Sequence, residues 1–531
     1  MNLNCAFEEW AILIGQDRVL NGKLAELNYG RCTTGENRRL SGVLKLLKPE
    51  DIAPIIKTAV KHQVPLYPIS TGHNWGYGTA LPPVDNCVIL DLSELNRIID
   101  FDAETGVVTV EPGVTQGQLA DFLDQGEYPY MTPTTGAGKA ASILGNALER
   151  GYGITPYTDH FGAVMAIHAV LPDGSFYRSA LTDLGGEQLD RSFKWGVGPY
   201  IDGIFSQGSV GVVTQMTIAL ARRPEVVQSF LFGLKQPEKL GNLVSRVRDV
   251  IARYPGVVGG INLMNAHRVL AMTTTYPRER VVPGEAISLE ILQELMQKNM
   301  VLPWMGLGTL YGSKRVVNAV KQELKLMLSP VADRLLFVTD ERIQILTRLG
   351  KFLPNTLRSR LTCKLEMLER SLQLISGYPN QTALPLCYWL KGKPQQDAML
   401  DPARDGCGLI WYAPLIPMKQ ASVVSYVQMV YDIMAKYRLE PLMTLTSLSA
   451  RCFDSTVPIL FDLNSEPERR KAESCYWELM EKGKEYGFLP YRVGIQAMSW
   501  LSENNSSYWQ TVRKIKRSLD PSMIISPGRY I

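Results

Sequence analysis

Apolar side chains recur along this chain with two different periods, and the change from one to the other marks out its elements. Over residues 49–61 they fall at Ile52, Ile55, Ile56, Ala59 and Val60. That spacing predicts a helix, with Pro49, Glu50 and Asp51 as an acidic start. The mostly apolar run 64–69 predicts a strand, and a glycine-rich loop follows it. Further strands are expected at 87–92, 98–101 and 107–110, the last two joined by the hairpin-like turn Ala103-Glu104-Thr105-Gly106. Thr115 opens a short helix to residue 123. Alternating strands at 164–171 and 175–178 meet at Pro172-Asp173-Gly174, a strong turn signal, and 210–220 reads as another strand. Hairpins outnumber strand-helix-strand units, so the fold class expected is α+β rather than a doubly wound sheet.

The pattern shifts near Arg222-Arg223-Pro224. Beyond it, amphipathic helices at 240–254, 315–328, 421–436 and 467–486 alternate with strands such as 408–413 and 442–448. Residues 346–375, rich in Arg, Lys and Leu, read as a helical connection, and the tail as a helix over 508–519 followed by 524–531. A chain of 531 residues exceeds what one hydrophobic core usually organises, so a second domain with its own core is expected.

Composition removes several function classes. The formal net charge of +4 comes from well-mixed charges, with no basic block long enough for a nucleic-acid footprint. The eight cysteines are scattered and form no CxxC pair, which suggests a reduced set rather than a disulfide framework or a zinc site. The five histidines do not cluster and HExxH is absent, so no metal is expected. No signal-peptide core opens the chain, and no run reaches the ~18 apolar residues of a membrane span. The expectation is a soluble cytoplasmic protein that meets no membrane. Gly136-Ala137-Gly138-Lys139-Ala140-Ala141 fits a dinucleotide fingerprint formally, but Pro133-Thr134-Thr135 precedes it instead of an apolar strand. Every Gly-Lys pair lacks the Ser or Thr of a Walker loop.

The loop from Pro68 to Ala80 is more informative. Gly72, Gly76 and Gly78 lie among Ser70, Thr71 and Thr79, so the backbone can approach a ligand and aim successive N–H groups at one anion. A tight surface turn would account for the glycines alone. His73, Trp75 and Tyr77, interleaved with them, shift the balance toward a binding loop.

Five segments then carry a resemblance. PISTGHNWGYGTA (from Pro68), LGNALERGYGITPYTDHF (from Leu144), VGPYIDGIFSQGSVGVVTQM (from Val197), PYRV (from Pro490) and SPGR (from Ser526) fall in the order seen in the vanillyl-alcohol oxidase and p-cresol methylhydroxylase family. The chain resembles that family from about residue 49 onward, strongly over 49–220, weakly through the middle, and clearly again within 490–531. The resemblance implies a two-part FAD-binding domain of the vanillyl-alcohol oxidase type, residues 1–222 and 488–531, interrupted by an α+β substrate-cap domain, 223–487. It also implies that Ser70, Thr71, Gly72, His73, Asn74, Gly76, Tyr77 and Gly78 wrap the FAD pyrophosphate. Ser142, Gly145 and Asn146, with Gly151, Gly153, Ile154 and Thr155, would form the second wall. Gly211 and Val212 would meet the adenine end, and Arg529 would join the site from the tail.

By the same resemblance Tyr77, Tyr491 and Arg492 occupy the positions of the family's phenolate-binding Tyr, Tyr and Arg. The implied chemistry is hydride transfer from a benzylic-type carbon to flavin N5, eased when a para phenol ionises; Arg492, which keeps its proton, is the expected anchor. Two departures follow. His73 stands where better known members have Arg or Lys, and resembles the His through which berberine-bridge-type enzymes attach the flavin 8α carbon. It either makes that covalent link or hydrogen-bonds a phosphate oxygen. The family's usual attachment stretch, matched here to 451–458, holds no His or Tyr. The stretch 131–141, where family oxidases carry an acid beside N5, has no acidic residue, and Thr134 or Thr135 would be a poor base.

The function expected is FAD-dependent hydride transfer to flavin N5 from an activated, aromatic or phenolic, alcohol, amine or benzylic C–H small molecule; the absent acid favours a substrate other than a simple 4-alkylphenol, such as an amine, an alcohol, or a larger intermediate needing desaturation or cyclisation. Oxygen is preferred over an electron carrier as acceptor, and a homodimer is in keeping with the relatives. The alternatives are a berberine-bridge-like oxidative cyclase and a redox-inactive flavin-binding protein. Asp159-His160 reads as a structural hydrogen bond, His168 as a sheet residue, and His62 and His267 as surface positions. Tyr388, Trp389, Trp411 and Tyr412 read as core aromatics before pocket ones.

Overall fold

The computed structural model describes residues 2–339, 343–345, 348, 355–392, 399–503 and 505–531, apart from the side chains of 355–364. Strands β1 (Val19–Asn21), β2 (Leu40–Lys45), β3 (Leu66–Ile69) and β4 (Cys87–Asp91) form a sheet in the order β1-β2-β4-β3. β4 runs parallel to both β2 and β3. Parallel neighbours need crossovers, and helix Ile52–His62 supplies one, burying Ile52, Ile55, Ile56 and Ala59. Helix Leu3–Ile14 packs on the same cluster through the fully buried Trp10, whose Nε1 donates to Ile55 O at 3.2 Å.

Next along the chain come β5 (Ile98–Asp102), β6 (Val107–Val110), β7 (Tyr130–Met131), β8 (Val164–Val170), β9 (Phe176–Arg178), β10 (Val212–Ala219) and β11 (Ala221–Arg222). Five of them make an antiparallel sheet, β5-β6-β10-β8-β9, and β7 pairs with β11. The helix expected after Thr115 is Gln116–Gln125. Thr115 Oγ1 accepts from Gln118 N while the Gln118 side chain accepts from Thr115 N, a reciprocal cap.

The third sheet uses β12 (Val226–Leu234), β13 (Val258–Asn265), β14 (Trp304–Gly312), β15 (Arg334–Val338), β16 (Gly408–Tyr412), β17 (Leu415–Pro417), β18 (Thr444–Ser449) and β19 (Cys452–Phe461). Its order is β15-β12-β14-β13-β18-β19-β16, with β17 also on β19. Helices Leu240–Arg253, Lys314–Leu328, Gln420–Lys436 and Glu466–Glu485 share one core with it. Helix Asn355–Ile375 lies in the expected connection; 346–347 and 349–354 of that stretch fall outside the described residues.

The tail ties the two ends of the chain together. After helix Ser507–Leu519, Leu66 N donates to Ile524 O at 2.8 Å and Ser526 N donates to Leu66 O at 2.7 Å, so the last residues lie beside β3. The fully buried pair Lys516 and Asp520, 2.5 Å apart, fixes this turn, since Asp520 also accepts from Ile524 N and Ile525 N. Among the described residues no helix is long and apolar enough to cross a membrane. No group of three or more His, Cys, Asp or Glu among them is placed to hold a metal.

Candidate active site

The loop after β3 is held from several sides. Gly76 N donates to Thr33 Oγ1 at 2.7 Å, while Tyr77 N and Thr79 N both donate to Asn74 O. Trp411 N of β16 donates to Gly76 O at 3.2 Å, and a Cβ on Gly76 would stand 2.1 Å from Trp411 Cδ1. Only glycine, with its φ of 76°, lets the loop meet β16 here. The N–H groups of residues 71–75 donate to no protein acceptor among the described residues.

A second wall faces this loop. Ser142 Oγ caps helix Ile143–Leu148, accepting from Gly145 N at 2.9 Å and donating to Pro112 O at 2.6 Å. A Cβ on Gly145 would lie 2.3 Å from Ser70 Oγ, so the walls touch. One cavity runs between them. Of the residues expected at the cofactor, Ser70, Thr71, Gly72, His73, Asn74 and Tyr77 line it from the loop. Ser142, Gly145, Asn146, Gly151, Gly211 and Arg529 line it from the rest.

Six expected residues do not reach the cavity wall. Gly76 lies under Trp411, Gly78 against Ile495, and Gly153 against His160. Thr155 and Val212 are buried, and Ile154 packs on the cluster around Val338 and Leu372.

Three charges meet at the wall. Arg529 Nη2 lies 2.5 Å from Glu149 Oε1 and Arg492 Nε 3.4 Å from Glu149 Oε2, while Arg529 Nε donates to Gly208 O at 3.0 Å. Burial pushes the Glu149 carboxyl up, but Arg529 and Arg492 together hold it below the usual range. Burial also works against the Arg492 charge, and Glu149 together with Tyr77, Tyr491 and Tyr530 more than offsets it. Arg492 Nη2 donates to Asn74 Oδ1, and its Cζ lies 4.3 Å from the centroid of the Tyr77 ring. Tyr491 joins Tyr152 edge to face at 5.6 Å. Burial raises the Tyr77 and Tyr491 hydroxyls above the usual phenol range, and neither bonds a protein group among the described residues.

Asp454 was not singled out from the sequence. It lies on β19, two residues from the cavity-lining Thr456 and so on the same face, but behind the lining and not part of it. It is 4% exposed, and its Oδ1 is buried without a hydrogen bond. Burial raises this carboxyl to about 7, with Arg492 pulling back, and its charge in turn raises Tyr77, Tyr152 and Tyr491. The available signal was a lone acid in the otherwise uncharged strand CFDSTVPILF.

The histidines sort differently from expectation at His62 and His267; the His62 side chain is only 10% exposed and its Nε2 lies 2.9 Å from Glu9 Oε1. His73 lines the cavity, with Nδ1 3.2 Å from Ala140 O and its ring stacked on Trp75 at 5.0 Å. His160 is buried and accepts from Asn146 Nδ2 at 2.5 Å, whereas Asp159 accepts from Gly162 N, so the two are not an acid/base pair. His267 is not a surface residue: it is buried, its Nε2 3.7 Å from Glu440, and burial pulls its pKa down to about 4. Among the four cap aromatics Trp411 lines the cavity, while Tyr388, Trp389 and Tyr412 are buried in the core. Thr134 Oγ1 donates to Leu374 O at 2.8 Å, and Thr135 is held by Gln116.

A run of unpaired main-chain donors, two walls in contact and a buried Arg pair fit a dinucleotide with an anionic diphosphate. Residues 41–180 match the family model described as FAD binding domain, and 425–530 that described as FAD linked oxidases, C-terminal domain. The chain is 30% identical over 527 residues to 1'-carboxy-chondrochloren decarboxylase of Chondromyces crocatus, covering 99% of this chain and 96% of that protein. It is 27% identical to the flavoprotein subunit of 4-cresol dehydrogenase (hydroxylating) of Pseudomonas putida, covering 99% and 95%. The chain belongs to the vanillyl-alcohol oxidase and p-cresol methylhydroxylase family.

Solved members share its fold. p-Cresol methylhydroxylase with substrate bound superposes with a TM-score of 0.88 at 24% identity, covering 100% of this chain and 96% of that one. The 4-ethylphenol oxidase of Gulosibacter chungangensis, in its isoeugenol complex, gives 0.88 at 22%, covering 100% and 97%. As a member of the family the protein is an FAD-dependent oxidoreductase.

Proposed function

We propose that the protein oxidises a para-substituted phenol at the carbon next to the ring, with oxygen or an electron carrier as the final acceptor. The observation that carries this reading is the meeting of Tyr77, Tyr491 and Arg492 at one cavity, with two hydroxyls that no protein group occupies. FAD, when bound, accepts the hydride that leaves the substrate carbon. Arg492 and the two tyrosines bind the phenolate oxygen, which makes the para carbon electron-rich; donors of this kind in a water-poor site contribute about 3–4 kcal/mol each. Asp454, with a carboxyl that titrates near 7, takes up the phenol proton at neutral pH.

In this reading the main chain of residues 70–74, Gly145 and Arg529 hold the cofactor diphosphate. Residues 1–222 and 488–531 make the FAD part and 223–487 the cap. His73 is the attachment point: its Nδ1 faces Ala140 O, which leaves Nε2 free for the flavin 8α carbon. If so, acid-precipitated protein stays yellow, and flavin released to the supernatant rules the link out.

The missing acid in 131–141 and the decarboxylase name of the 30% identical relative favour one way of completing the reaction. A group leaves from the substrate's own side chain, in place of water addition. Loss of carbon dioxide leaves the C–C bonding pair behind as a new double bond and restores the phenolate.

Anaerobic mixing with phenols, amines and alcohols tests the proposal, because only a true substrate bleaches the flavin. Arg492→Met should slow bleaching by a phenol by about 10²-fold or more. An unchanged rate, or equal bleaching by non-phenolic amines, discards the phenol reading.

A further inference from the structure

One cation in the cavity has no role in the site as built so far. Arg268 stands on helix Ala266–Thr273, where its N–H donates to Asn265 Oδ1 at 3.1 Å, and its side chain lines the cavity. Its Nε donates to Thr444 Oγ1 at 3.0 Å and its Cζ lies 5.8 Å from the Trp411 ring centroid. Nη1 is buried and bonds nothing. Burial pulls the guanidinium down to about 10, so it remains charged at neutral pH. The other titratable group that acts on it is the Cys387 thiol, and among the described residues no carboxylate pairs with it. Arg492 and Arg529, by contrast, share Glu149.

A lone guanidinium is costly to bury and is satisfied by an anion that matches its planar fork. The surroundings choose the anion. Leu386, Leu409, Ala383 and Trp411 line the same cavity and offer little to a phosphate dianion, which needs several donors. A carboxylate needs one fork and carries one charge. We propose that Arg268 is a carboxylate subsite, so that the substrate carries a side-chain carboxylate at the cap and its phenol at Tyr77, Tyr491 and Arg492. The phenol end rests on the function proposed above; the carboxylate end does not.

The probes are 3-phenylpropanoate and 3-phenylpropanamide, which have the same skeleton, no phenol, and differ in charge. Calorimetric titration of the holoprotein should show the acid binding about tenfold or more tighter than the amide. Arg268→Gln should erase that preference, and Arg268→Lys should retain part of it, each variant being checked for retained flavin colour. Equal binding of acid and amide, binding of neither, or a preference that survives in Arg268→Gln overturns the assignment. Anaerobic bleaching of the wild-type flavin by 3-(4-hydroxyphenyl)propanoate reads the phenol proposal separately. A protein that prefers the acid but is not bleached keeps the subsite and loses the phenol.

Discussion

Replacing Asp454 by Asn should make the protein more stable and less active at once, and the two effects should divide by pH. The carboxyl is raised from 3.8 to about 7 by burial, against the pull of Arg492. Between those values the native state keeps a proton that the unfolded chain has released, so stability falls as pH rises through the window. Above about 7 the loss is complete. The distance between 3.8 and about 7 corresponds to about 4 kcal/mol. Asn never ionises, and Oδ1 has no hydrogen bond to lose. The variant should therefore match wild type near pH 4 and exceed it by up to about 4 kcal/mol at pH 8, as read by urea unfolding of the purified holoprotein. Flavin bleaching by a phenol should meanwhile slow by about 10²-fold and lose its rise near neutral pH. A stability gain that is the same at every pH, or absent at pH 8, refutes an unpaired buried carboxylate. Unchanged bleaching refutes its part in proton transfer.

Other perturbations test the frame around it. Gly145→Ala puts a methyl 2.3 Å from Ser70 Oγ, so that the Ser70 side chain must turn or the walls part, and flavin loading should drop about tenfold, measured as the FAD-to-protein ratio after gel filtration. Trp10→Ala removes a fully buried ring and its bond to Ile55 O, and should cost about 3–5 kcal/mol in denaturant unfolding. Glu149→Gln leaves Arg492 and Arg529 without their shared anion. It should cost about 3–5 kcal/mol at neutral pH, with less of the difference remaining once Glu149 itself is protonated in acid.

Local chemistry made much of the fold legible. The Thr115 cap, the Pro172-Asp173-Gly174 turn and the four amphipathic helices each announce themselves within a few residues, and the observed elements begin and end close to where the spacing places them. Sheet partners are less accessible. β14 reads WMGLGTLYG, a glycine-rich run with poor strand propensity, yet Gly306 and Gly308 pair with Phe232 and Phe230, whose rings fill the space their side chains would take. Nothing in the mixed apolar and acidic run of helix Leu3–Ile14 marks Trp10 as the residue that anchors it. At the site, the glycine loop and Tyr491-Arg492 were visible as motifs. Asp454 and Arg268 were not, because a single charge among apolar neighbours acquires meaning only through register. Asp454 stands opposite Thr446 on β18, and Arg268 reaches Thr444 on that same strand.

The bonding of residues 524–526 to Leu66 also constrains when the holoprotein can arise. The cradle proposed for the nucleotide draws on positions near 70, near 145 and at 529, so on that reading no nascent fragment lacking the final stretch has the complete grip. On the same reading, full loading of the flavin follows release of that stretch by the ribosome, and until then β3 lacks its bridge to Ile525. A chaperone or an excess of free cofactor should matter most in this late interval, after synthesis and before the tail has docked.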